Sequence, residues 1–282
     1  MAVLLLQPVL ALPSEGAPGA DATGTGPGLA IEHGKAATAD ASPVEPGALE
    51  VEIGYAPVWN DRGGSRGFLA SRAAHTHAFT TALTYGVRPD VDVKVVGGFA
   101  TIFDSAHLHA DGSRPRRGQG LVDAVLGARW RVLNLAEQGL EVALTGEAVA
   151  PTGAAHLADQ VGLTQGYWTA RGALVATKDL GRLSMNGELS ALMPVSGDTG
   201  GLRSVLQVNT AMGYQVLPWL QPELELNYAS EIGMHAQVLS ATAGIVAPFG
   251  AGHRIVAALQ HGLWGRNATE TTSALLAYKT AF

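Results

Sequence analysis

The chain has 282 residues, of which 47% are hydrophobic and only 15% charged, with a net charge of -6 and no cysteine. A soluble domain usually carries about 25% charged residues. The lack of cysteine excludes a disulfide framework, a thiolate metal site and a cysteine nucleophile, and the acidic balance gives no reason to expect a nucleic-acid partner.

The apolar content is not collected into membrane helices, which need roughly 18 or more nearly uninterrupted apolar residues. The longest candidate, Ala2 to Leu12, is shorter and is broken by Gln7 and Pro8. It resembles the apolar core of a secretory signal, followed by small residues at Ala20-Asp21-Ala22, although no Lys or Arg precedes it. Residues 1–22 are therefore read as a signal peptide with its true start upstream, the alternative being a disordered mature tail. Residues 23–47 are rich in Gly, Ala, Pro, Ser and Thr, and are expected to form a disordered extension.

From residue 48 the chain alternates with period two, the mark of strands with two unlike faces. Leu49, Val51, Ile53 and Tyr55 alternate with Glu50, Glu52, Gly54 and Ala56. Leu140, Val142 and Leu144 alternate with Glu141, Ala143 and Thr145, and Leu224, Leu226 and Tyr228 with Glu223, Glu225 and Asn227. Strands are predicted at about 48–59, 75–85, 91–103, 121–133, 140–150, 166–178, 183–193, 204–217, 220–230, 236–247, 253–264 and 271–282. Many of the 36 glycines fall inside these runs, where they mark bends and close backbone approach rather than helix.

The connections alternate between short and long. Residues 86–90, 134–139, 179–182, 218–219 and 248–252 are turn-like; 60–74, 104–120, 151–165 and 194–203 are long. Outer-membrane barrels have short periplasmic turns, longer external loops and an even strand count. The expected fold is thus all-β, a closed antiparallel transmembrane β-barrel of about 12 strands over residues 48–282, in a bacterial outer membrane. Aromatics such as Tyr55, Tyr85, Trp130, Trp168, Trp219 and Trp264 fall mostly near strand ends, where interfacial girdles lie. The final strand ends on Phe282, the form expected of a strand presented to barrel-assembly machinery.

If the apolar parity faces lipid, the other faces the lumen. That places Glu50, Glu52, Asp92, Lys94, Asp123, Arg129, Arg131, Glu141, Glu147, Arg171, Glu188, Glu223 and Glu225 inside, with Arg254 and Lys279. Charges in a confined lumen need partners, so ladders between neighbouring strands are expected. Asp123, Arg129 and Arg131 are expected to face Glu141 and Glu147 across the 134–139 turn. Such charges either fill a narrow lumen and set strand register, or line a route for a polar or amphipathic solute. Twelve strands lie between filled small barrels and open porins, which favours a narrow or gated path.

Histidine pairs and serines raise metal binding and catalysis as alternatives. His75-x-His77 and His107-x-His109 have ligand spacing but no cysteine and few carboxylates nearby, so no metal or other cofactor is expected. Lipid hydrolysis needs a nucleophile and base within reach; His261 has the lipid-facing parity whereas Ser240 and Ser273 do not, so no enzyme is expected. Arg62, Arg66 and Arg72, then Arg114, Arg116 and Arg117, could pair with outer-leaflet glycolipid phosphates.

Four short motifs, in order, carry a family resemblance. They are Pro46-Gly47-Ala48-Leu49-Glu50, Tyr85-Gly86-Val87-Arg88-Pro89-Asp90, Gly120-Leu121-Val122-Asp123 (with Val122 where the pattern has a second glycine) and Pro151-Thr152-Gly153. From about residue 44 onward the chain resembles the outer-membrane channel family named for the MetA pathway of phenol degradation. The resemblance implies a channel for small, often hydrophobic or aromatic compounds, with lipid, glycolipid and a small-molecule solute as partners. The competing reading is a structural or adhesive outer-membrane protein with a plugged lumen.

Overall fold

The computed structural model describes residues 36, 38–60, 74–104, 117–154, 163–164, 166–197, 204–232, 235–249, 252–268 and 270–282. Thirteen strand segments follow in order: β1 (Leu49–Asn60), β2 (Ala74–Arg88), β3 (Val91–Asp104), β4 (Arg117–Leu121), β5 (Ala124–Leu135), β6 (Leu140–Ala150), β7 (Tyr167–Leu180), β8 (Leu183–Gly197), β9 (Val205–Tyr214), β10 (Gln221–Glu231), β11 (Ala236–Pro248), β12 (His253–Arg266) and β13 (Thr271–Ala281). Among the described residues, no helix is long and apolar enough to cross a membrane.

Apart from β4 and β5, which do not pair with each other, each strand pairs antiparallel with its sequence neighbour, and β1 also pairs with β13, so the sheet closes on itself. The seam runs from Glu50 opposite Ala281 to Asn60 opposite Thr271. At its foot Leu49 and Phe282 exchange backbone hydrogen bonds of 3.1 and 3.0 Å. β4 and β5 both lie along β3, against Phe99–Phe103 and Val91–Val96 respectively. They form one stave, so the thirteen segments build a barrel of twelve.

The outer face is apolar on every stave. Ile53, Leu83, Val95, Leu126, Leu144, Leu174, Leu189, Val208, Leu226, Ile245, Leu259 and Leu276 are all exposed. In water these side chains would be a severe liability; in a bilayer they are the solvated surface, and the β1–β13 seam removes the pair of long edges that an open sheet would expose to lipid. Alternation is sharp along single strands: Ile53 is 54% exposed and its neighbour Glu52 3%.

Three expectations are corrected. The strand predicted to begin at 121 is preceded by a separate segment, β4, because the chain breaks its ladder at Val122–Asp123. The turn expected at 218–219 begins earlier, after Tyr214. There the buried Gln215 side chain donates from Nε2 to the carbonyls of Leu217 (3.0 Å) and Pro218 (3.2 Å), and Leu217 bridges Leu220. Finally, residues 38–47, expected within a disordered extension, are ordered inside the barrel, where Thr38, Asp40, Ala41 and Val44 are buried. Residues 1–22, read as a signal peptide, lie outside the described residues.

Candidate functional site: the occupied lumen

The inner wall is built by the inward parity of the strands. Glu50, Glu52, Asp92, Arg129, Arg171, Glu188, Glu223 and Glu225 are buried, and Lys94, Arg131, Glu141 and Glu147 are half-buried. Direct cross-strand neighbours supply three ion pairs: Asp92–Arg129, Glu147–Arg171 (3.1 Å) and Glu52–Lys279 (3.0 Å). Diagonal reach supplies the rest. Lys94 meets Glu147 (2.8 Å) by passing over Gly127 of β5. A Cβ at Gly127 would stand 3.1 Å from Glu147 Cγ and 3.6 Å from Lys94 Cε, so glycine leaves room for a bond that skips a strand. Arg171 also binds Glu188, Arg131 binds Glu141 (2.8 Å), and Arg254 binds Glu50 across β13.

The hairpin network expected for Asp123, Arg129 and Arg131 is therefore only partly formed. Arg131 finds Glu141, but Arg129 turns to Asp92 on β3, and Glu147 is taken by Lys94 and Arg171. Asp123 is not on the ladder, because it sits in the β4–β5 break. There its Oδ1 accepts the Gly153 N–H (2.9 Å), while Thr152 Oγ1 accepts the Ala124 N–H (2.9 Å).

The lumen is not empty. Residues 38–47 cross it as a strap leading into β1, and wall carboxylates take its donors. Thr38 Oγ1 donates to Glu225 (2.9 Å), Ala39 N to Glu188 (3.2 Å), Ser42 Oγ to Glu141 (2.5 Å) and Val44 N to Asp92 (3.0 Å). In return Arg129 donates to Asp40 O (3.0 Å) and Asn186 to Ala39 O (3.2 Å), and Ala41 N reaches Thr177 Oγ1 (3.0 Å). Only the root of the strap uses backbone pairing, Gly47 N to Gly86 O (2.8 Å). A Cβ at Gly86 would lie 1.9 Å from Glu45 O, so glycine is what lets the strap leave the wall here.

The opposite wall is apolar beyond the Glu52–Lys279 and Glu50–Arg254 pairs at its foot. Ala36 packs with Ala56, Val246, Val256, Ala258, Leu275 and Ala277, side chains of β1, β11, β12 and β13. Beside the charged wall, a cavity of about 20 Å³, room for one water, lies among Asp92, Lys94, Gly127, Ala128, Arg129, Thr145 and Glu147. Near the long-loop end, Leu163 packs on Ala100 and Ile102 with Ala78, Val122 and Ala154.

The four motifs form two joints. The first two bond to each other through Gly47, Ala48 and Gly86 at the foot of the strap, and the last two through Asp123, Ala124, Thr152 and Gly153 at the strand break. Sequence reading missed the strap residues Thr38, Asp40 and Ser42, and also Glu231, which is buried on the inward parity of β10. The parity run Glu223, Glu225, Asn227 was a signal that could have been carried on to Glu231.

The described histidine candidates fall on the outer parity of their strands, and Ser240 and Ser273 on the inner one. His77 stacks on Tyr55 and Phe103, with its Nδ1 2.6 Å from Tyr55 Oη, and His75 tilts against Phe103. This is an aromatic cluster of β1–β3. His261 Nδ1 lies 2.9 Å from Thr272 Oγ1, and its Nε2 lies 3.5 Å from Glu270; Ser273 and Ser240 bond to Gln260 and to the Asn227 carbonyl instead. His107, His109, Arg62, Arg66, Arg72, Arg114 and Arg116 lie outside the described residues.

No known family model matches this chain, and no curated protein sequence matches it. The fold is similar to that of an outer membrane channel from Pseudomonas putida F1, with a TM-score of 0.72 and 17% identity over 86% of this chain and 98% of that one. It is also similar to the β domain of the Bordetella autotransporter BrkA (TM-score 0.52, 12% identity, 84% of this chain and 100% of that one). A third match is the NanC porin (TM-score 0.51, 8% identity, 82% and 98%). The likeness is one of fold: this chain is an outer-membrane β-barrel, as the motif resemblance implied.

Proposed function

We infer that the barrel is an outer-membrane channel for small solutes, including hydrophobic or amphipathic ones, and that the strap is its gate. The observation that supports this most is how the strap is held. A permanent plug would be expected to join the sheet; this one rests on side-chain hydrogen bonds and two small apolar contact patches, Ala36 on one wall and Ala41 with Ala143, Ala173 and Val175 on the other. A charge-assisted hydrogen bond contributes about 1.5–3 kcal/mol, so a few can be exchanged for solute contacts without opening the sheet. The lumen also offers a solute two unlike walls, one of ion pairs and one of Ala, Val and Leu.

The same strap supports a second reading, a structural or adhesive barrel with a plugged lumen. Liposome uptake and planar-bilayer recording on the full chain separate the two. Passage of any small solute, increased when the strap is weakened, supports the channel; a barrel that passes no solute in either assay overturns it. No catalytic role is assigned to the Thr272–His261–Glu270 group. Outer-membrane lipid and glycolipid are the partners that this reading implies, with the Phe282 strand as the segment recognised during assembly.

A further inference from the structure

The apolar wall extends well beyond the patch that holds Ala36. On the inward parity Ala258 stands opposite Leu275, Ala56 opposite Ala78 and Ala78 opposite Ala100, while Leu275 and Ala56 belong to one packed cluster across the seam. A second row lies on its short-turn side: Val246 faces Val256, Val256 faces Ala277 and Ala277 faces Gly54. None of these positions carries a charged or hydrogen-bonding side chain. The strands of such a barrel tilt by about 35–45°, so rows in register climb as they go round. The band therefore crosses the barrel, from Val246, two residues before the short-turn end of β11, to Ile102, two before the long-loop end of β3.

The chain caps both ends of this band with its own aliphatic side chains. Ala36 rests at one end, among Val246, Val256 and Leu275. Leu163 rests at the other, on Ala100 and Ile102 beside Ala78. The second seat depends on glycine. A Cβ at Gly120 would stand 2.6 Å from the Ala154 Cβ, and one at Gly153 would stand 2.9 Å from the Leu163 carbonyl oxygen. From Ala258 to Ala100 the band covers four strand spacings, about 19 Å. Two aliphatic seats joined by an uncharged path of that length match an extended hydrocarbon chain; a compact ring of the same carbon count fills one seat and leaves the rest uncovered.

We propose that the band is a binding track for an extended, uncharged alkyl chain, which enters from the long-loop end by displacing Leu163 and reaches the strap by displacing Ala36. Between the two seats the chain lies along Ala56 and Ala78, whose methyl groups keep the track shallow enough to admit it. Leu163 and Ala36 are then the occupants that the protein supplies for itself when no solute is bound. This assignment rests on the channel reading for its role in transport, but not for binding.

The test uses the full chain in nanodiscs and two uncharged probes with the same number of carbons, 1-dodecanol and cyclododecanol. They are compared at equal concentration in the bilayer, so that partitioning cancels. The protein has no cysteine, so A36C supplies a single thiol, and its rate of modification by a water-soluble maleimide reads departure of the strap from its seat. The extended alcohol should raise that rate at least about threefold more than the ring, which forgoes the contacts along Ala56 and Ala78. Adding A78N lays an amide across the track and should bring the effect of dodecanol down to that of the ring, because an amide buried against hydrocarbon is penalised; A78T takes its place if the asparagine variant does not fold. Equal rates with the two alcohols, a faster rate with the ring, or an advantage for dodecanol that survives the change at Ala78 overturns the proposal. A strap displaced by dodecanol in a protein that passes no solute in the liposome and bilayer assays keeps the track and overturns the channel.

Discussion

From β3 to β8 the inner wall is a chain of ion pairs; from β11 round to β1, above the lowest pairs, it is alanine, valine and leucine. The strap touches both, but differently. On the first wall it makes directional bonds to Asp92, Glu141, Thr177 and Glu188, beside the packing of Ala41 on Ala143, Ala173 and Val175; on the second, Ala36 only packs. Ion pairs in a confined interior are unforgiving, because each partner pays for the other's desolvation. Small apolar side chains hold nothing in register and resist nothing that slides past. The charged wall is therefore the fixed side of the lumen, and the apolar wall the side along which a strap or solute can move.

The largest test of this contrast is R171A. It strands Glu188 and leaves Glu147 with Lys94 alone, and should cost about 3–5 kcal/mol, read as a lower urea midpoint of the folded barrel in micelles. A loss near that of a single exposed pair would mean that the ladder is not what fixes this wall. Next comes G86A, which acts on the strap and not on the wall. Its Cβ collides with the Glu45 carbonyl, and overpacking of this kind costs about 1–3 kcal/mol. The strap root should yield before the sheet does, so protease cleavage near residue 45 should rise while the urea midpoint of the barrel hardly moves. The smallest effect is expected from T38V, which removes one donor from Glu225. A loss of about 1 kcal/mol in strap docking corresponds to a roughly fivefold longer open time in bilayer recordings. An unchanged open time would show that Thr38 does not hold the gate.

The staves were legible because period-two alternation repeats along them, and the predicted edges fall within a few residues of those found for β1, β3, β6 and β13. The inward position of Glu50, Asp92 or Glu223 follows from the same parity. What the pattern does not carry is which charge meets which. Arg129 and Glu147 are two residues off direct opposition on the β5–β6 hairpin, and the stagger of β3 puts Asp92 directly opposite Arg129 instead. The strap was invisible for another reason. Ala36 to Gly47 is made mostly of small residues, with no period, and the wall groups it hydrogen-bonds lie 39 to 187 positions away in the chain. The break at Val122–Asp123 likewise depends on a loop, Thr152–Gly153, about thirty residues later.

The seam between β1 and β13 has a consequence for how such a molecule comes to exist. A cylinder sealed by its first strand meeting its thirteenth stays an open gutter until those two strands pair, and the strap hangs from the very rim that this pairing seals. Biogenesis therefore has a sequence problem as well as a shape problem: the tether is either laid in the gutter before the two rims zip, or hauled in afterwards through an end of a finished tube.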